Sequence, residues 1–129
     1  MRKRIAITII GVLAATALVA VPTAGAATNV HTATLKGSAA FPAVTGKAKF
    51  SVDNGVRQLE AQIENAKRLA GTNVRFRVDG VLVGTAKVSS LGTARINKSG
   101  SVVPAVHTGS TIRVRRASNG ALVASGRFN

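Results

Sequence analysis

The residues with the clearest capacity for chemistry are four arginines in two matching phrases, Val74-Arg75-Phe76-Arg77 and Ile112-Arg113-Val114-Arg115. An arginine side chain is a permanently charged planar fork of donors, suited to bidentate contact with phosphate or carboxylate. Successive side chains of a strand alternate between faces, so Arg75 and Arg77 share one side, and Arg113 and Arg115 share another. If the two phrases lie next to each other, the four guanidiniums make one polyanion-binding patch, with Arg116 at the flank of the following turn. The competing expectation is a solvated sheet face whose arginine stems cover Leu82 and Leu122.

Other chemistries find few residues. The four acids are Asp53, Glu60, Glu64 and Asp79, and the histidines are His31 and His107. On a strand, Glu60 and Glu64 stand about 13 Å apart. Paired-carboxylate glycoside hydrolysis needs roughly 5–9.5 Å. No G-x-S-x-G elbow occurs to present a serine nucleophile. Two histidines with no cysteine do not supply the ligands of a zinc or copper site. The glycines sit at turns and strand edges, not in a G-x-G-x-x-G between strand and helix. The expectation is a protein with no catalytic residues, no metal and no cofactor.

The arginines must be positioned by hairpins. Gly71 to Val88 reads as two strands joined at Asp79-Gly80, a pair that suits a type I′ turn because both central residues need positive φ. Pairing outward sets Val78 opposite Val81, Arg77 by Leu82, Phe76 opposite Val83, Arg75 by Gly84 and Val74 opposite Thr85. Gly109 to Phe128 repeats the phrase, with the longer turn Ala117-Ser118-Asn119-Gly120. A second echo, Pro-Ala-Val followed by Thr-Gly, occurs at Pro42 and Pro104. Duplicated hairpins of this kind predict an all-β domain.

Upstream, His31 to Leu35 predicts a first short strand, Ser38 to Gly46 a loop, and Lys47 to Val52 a half-buried strand closed by a turn at Asp53-Asn54-Gly55. Val56 to Ala70 fits either a helix, with Leu59, Ile63 and Ala66 on one stripe, or a strand in which Leu59, Ala61 and Ile63 alternate with polar residues. The β context on both sides selects a strand to about Asn65 and a loop over Ala66 to Ala70. Leu91 to Ile96 predicts a further strand. Val102 to Val106 is at most an edge strand, since Pro104 lacks an N–H for a ladder. The expected core is Phe50, Val52, Leu59, Ile63, Val74, Phe76, Val83, Ile112, Val114 and Val123. The expected fold is a single antiparallel sandwich or barrel of about seven to nine short strands.

The pattern Leu35-x-Gly37, Pro42, Gly46-Lys47-Ala48-x-Phe50, Leu59-Glu60, Leu69-Ala70-Gly71-Thr72, Asp79-Gly80 and Val83-Gly84 resembles a widespread type of small exported bacterial β-sandwich protein. It is also distantly similar to CHRD-type domains, over most of Leu35 to Phe128. The resemblance implies a strand over Val56 to Asn65. CHRD domains usually carry a His-x-His element that this chain lacks, so no metal or partner role is carried over.

The first residues read as an address. Arg2-Lys3-Arg4 is a basic lead, Ile5 to Val21 is apolar, and Pro22 to Ala27 offers small residues for cleavage after Ala26 or Ala27. Residues 1–27 are therefore expected to be a secretory signal peptide and residues 28–129 a single β domain, with no transmembrane segment after cleavage. Cysteine is absent, which excludes disulfides. Three of the 18 basic residues belong to the leader; the remaining 15 against four acids leave +11 on the domain. Such a field attracts polyanions without specifying one. No Trp or Tyr is present to stack bases, so sequence-specific nucleic-acid recognition is not expected. The reading is a non-catalytic protein, secreted or held at the bacterial envelope, that binds an acidic envelope polymer or anionic surface through Arg75, Arg77, Arg113 and Arg115. The alternative is an assembly module that binds another protein through a sheet edge or apolar patch.

Overall fold

The computed structural model describes residues 30–129, so the expected signal peptide lies outside the described residues. Where apolar and polar residues alternate, strands form: β1 (Val30–Gly37), β2 (Thr45–Asp53), β3 (Val56–Glu64), β4 (Asn73–Val78), β5 (Val81–Lys87), β6 (Ala94–Ser99), β7 (Thr111–Arg116) and β8 (Leu122–Phe128). They make one eight-stranded antiparallel sheet in the order β5-β4-β7-β8-β1-β2-β3-β6. The two end strands, β5 and β6, approach each other without a hydrogen-bonded ladder, so the sheet is a nearly closed barrel. At this seam a Cβ on Gly84 would lie only 3.0 Å from the Lys98 side chain and 3.2 Å from Ile96. Glycine at that position is what lets β6 come so close to β5.

The ambiguous segment after Gly55 is a strand. β3 buries Leu59, Ala61 and Ile63, and pairs with β2 and β6. Asn65, at φ 60°, ends it, and the expected loop holds one 3-10 turn, Lys67–Leu69. Tertiary pairing on both edges outweighs the helical stripe. Asp79-Gly80 takes the positive φ anticipated, 49° and 83°, and the turn expected at Asp53-Asn54-Gly55 has the same character, with 52° and 78° at Asn54-Gly55.

The hairpin register holds only for its first two pairs. Val78 faces Val81 and Arg77 faces Leu82, but Phe76 then faces Gly84, Arg75 faces Thr85 and Val74 faces Ala86. Val83 is the extra residue of a β-bulge, and both Val83 and Gly84 are buried. The second hairpin bulges at the equivalent place: Arg115 faces Leu122, Val114 faces Ala124, and Val123 is extra. A bulge bends its strand and increases the local twist, which a small barrel needs in order to curl.

Two further expectations are corrected, and the limit set on Val102 to Val106 is kept. The strand placed at Leu91 to Ile96 runs from Ala94 to Ser99, because residues 89–93 make a turn in which Ser89 and Thr93 bond each other. Val102 to Val106 forms no strand; it is a loop that buries Val103 and Val106. Val52 is only half-buried, next to the β2–β3 turn, whereas the other nine expected core residues are buried. The core also takes Val44, Leu69, Val88, Val103 and Val106 from loops, and Phe128 from the penultimate position.

Candidate functional site

The two arginine phrases are brought together as β4 and β7, which are direct neighbours. Arg75 pairs with Arg115, Phe76 with Val114, and Arg77 with Arg113. A local twofold therefore passes through Phe76 and Val114, relating one hairpin to the other. The hydrogen bonds obey it. Arg77 Nη1 donates to the Gly80 carbonyl at 3.3 Å, and Arg115 Nη1 donates to the Gly120 carbonyl at 3.0 Å. Gly71 N–H donates to Val88 O, as Gly109 N–H does to Phe128 O.

Phe76 and Val114 are buried, so the alternating arginines lie on the outer face of the barrel. Arg77 and Arg115 are half-buried and tied to their own turns, while Arg75 and Arg113 are exposed. Partners directly opposite in an antiparallel pair have Cβ atoms about 4.5–5.5 Å apart, and like charges there oppose pairing. The outer flanks of the quartet are Thr85, Leu82, Leu122 and Ser125, all neutral. Lys36 follows Ser125 in register, so it belongs to the same surface. Leu82 remains 41% exposed, so the arginine stems cover it only in part. Arg116 does not join the quartet: it pairs with inward-facing Val74, and its buried Nε has no hydrogen-bond partner.

Asp79 braces the two hairpins against each other. Its N–H donates to Thr111 O at 2.9 Å, and its Oδ1 accepts from Thr111 N–H at 3.0 Å. The Thr111 amide holds its carboxyl below the usual range against a smaller opposing effect of burial, with Ser110 and His107 helping to lower it. Asp79, His107 and Ser110 thus gather in one place, although their spacing carries no recognisable motif. Their geometry is that of a brace. Ser110 is 1% exposed and its Oγ accepts the His107 backbone N–H, while the His107 ring meets Thr108 O. His31 is elsewhere, its Nδ1 donating to the Asn129 carbonyl at 2.6 Å. Among the described residues, no group of three or more His, Asp or Glu side chains is placed to hold a metal ion.

A second basic surface went unrecognised from the sequence. Across β1, β2, β3 and β6 runs an open trough of about 630 Å³ on the outer face. Two registered rows of side chains line it: Thr34, Lys47, Gln62 and Arg95, then Thr32, Lys49, Glu60 and Asn97. The row between them, Ala33, Ala48, Ala61 and Ile96, is buried, so the floor is low. Lys47 and Lys49 alternate as Arg75 and Arg77 do; the consecutive strands β1 and β3 supply their direct partners, and only β6 brings Arg95 and Asn97 from far along the chain. No protein-family model and no curated protein matches the chain. The resemblance to CHRD-type domains rests on the strand and turn residues alone. No helix among the described residues is long and apolar enough to cross a membrane.

Proposed function

We propose that the protein is a non-catalytic, exported protein of the bacterial envelope or extracellular space, holding an acidic polymer against the outer face of β4 and β7. The observation that carries this reading is the like-charge quartet Arg75, Arg77, Arg113 and Arg115, paired across one ladder with only neutral flanking partners. Opposed guanidiniums disfavour each other until an anion lies between them. A net +11 on the domain adds a long-range attraction.

The test uses the full chain as its cells process it, with immobilised polygalacturonate as probe. Arg75→Gln with Arg113→Gln removes the two exposed charges of the quartet. Lys67→Gln with Lys98→Gln removes two charges elsewhere. A located site predicts that the arginine pair weakens binding several-fold more than the lysine pair, and flattens the log–log salt dependence by about two. Equal losses would mean that only the general field attracts the polymer, and would refute the site.

A second reading is favoured by one observation. β5 ends the sheet and leaves Val81 48% and Leu82 41% exposed. An assembly module would engage another protein through that apolar patch, which lies beyond the point where Gly84 meets β6. Capture of a protein from envelope extract that is unchanged between low and high salt, and lost in Leu82→Lys, would favour it over the polymer.

A further inference from the structure

The trough across β1, β2, β3 and β6 differs in chemistry from the arginine quartet. Its rims are two side-chain rows separated by two residues along each strand, or about 7 Å. Four strands at about 4.8 Å spacing give it a length near 14 Å. Those dimensions admit one extended polymer chain; a planar lipid surface could not reach the floor. Lys47, Lys49 and Arg95 supply positive charge, and all three are exposed. Between them stand Thr32, Thr34, Gln62, Asn97 and the carboxylate of Glu60. A ligand of uniformly dense negative charge would be repelled by Glu60 and would leave that acceptor unpaired. A chain whose anionic groups alternate with hydroxyls would satisfy both kinds of group, its hydroxyls donating to Glu60. The trough has no aromatic side chain on which a nucleobase could stack.

The trough also continues the quartet. Thr34 pairs with Arg127, which pairs with Thr111 on β7, and Lys36 pairs with Ser125, which pairs with Arg113. Each of β4, β7, β8 and β1 therefore carries a basic side chain on the way to the trough, with the hydroxyls of Ser125, Thr111 and Thr34 between them.

We propose that this trough binds one chain of an anionic glycan, bearing carboxylate or phosphate groups among free hydroxyls, and extends the quartet into one ligand track. The inference rests on the polymer-binding reading above and assigns the ligand class and a second contact region.

The experiment titrates the full chain with oligogalacturonates of increasing length, a phosphorylated glycan, inorganic polyphosphate, single-stranded DNA and anionic vesicles. The wild type should gain affinity with oligomer length. Lys47→Gln with Lys49→Gln should lose about tenfold on long oligomers and most of the length advantage, while Lys67→Gln with Lys87→Gln changes little. Carboxylated and phosphorylated glycans, compared at equal charge, distinguish the two sources of anion. Glu60→Gln should raise affinity for polyphosphate relative to glycan. Unchanged melting curves confirm folding of each variant. If the groove pair behaves like its control while Arg75→Gln with Arg113→Gln still weakens binding, the trough is not a site and the quartet stands. Tighter binding of polyphosphate, DNA or vesicles than of either glycan would overturn the ligand class, as would an unaltered preference in Glu60→Gln. Absence of salt-sensitive binding to every probe would remove both the trough and the reading beneath it.

Discussion

Replacing Gly80 by valine tests the element on which the arginine register depends. Gly80 sits at φ 83° beside Asp79 at φ 49°, and a Cβ built on it would meet nothing within 4 Å. The cost is therefore local backbone strain, not a clash with the rest of the barrel. An ordinary L-residue in the left-handed region costs about 1–2 kcal/mol, and valine's branched Cβ places it toward the upper end. For a domain near 100 residues, 1 kcal/mol moves the melting temperature by about 4–8 °C. Gly80→Val should then lower it by roughly 4–16 °C, followed by circular dichroism on heating. Gly80→Asn should cost much less, because asparagine tolerates this region. A valine variant that melts with the wild type would refute the type I′ turn and the pairing of Arg77 with Leu82. Gly126→Ala is a useful contrast. Its Cβ would run into the Thr34 backbone oxygen on β1, so that variant should be damaged by steric conflict between strands.

Asp79 predicts a pH dependence. Its folded pKa is lowered, chiefly by the Thr111 amide, so its contribution is complete above the ordinary carboxylate range and is lost as pH falls through the folded value. Asp79→Asn should reduce the acid-side slope of stability against pH below about 4; an unchanged slope would argue against the brace to Thr111. Phe128 is 1% exposed, only one residue from the C-terminus, and Phe128→Ala should destabilise the fold by about 3–5 kcal/mol in urea denaturation. A loss below about 1 kcal/mol would mean that β8 does not close the core.

What the sequence determined by itself is local. Asp79-Gly80 favours positive φ whatever surrounds it, and Asp53-Asn54-Gly55 is turn-forming by composition, so both turns were legible. Alternation placed Arg75 with Arg77 and Arg113 with Arg115 on one side of each strand, and marked nine of the ten expected core residues correctly. Duplication of the phrase also implied equivalent hairpins. The β3 segment, by contrast, offered a helical stripe and a strand pattern at once, and only ladders to β2 and β6 separate them. Tertiary structure decided that β4 lies against β7, since any two strands with matching alternation can pair, and the choice depends on the whole sheet closing. It decided the bulges at Val83 and Val123, because an extra residue is tolerated where the curl of the barrel requires it and carries no turn signal of its own. It made a barrel of what alternation alone left as sandwich or barrel, through the meeting of β5 and β6 across Gly84. The trough divides between the two: Lys47 and Glu60 belong to consecutive strands of one hairpin, whereas Arg95 joins them only when β6 pairs with β3 from far along the chain.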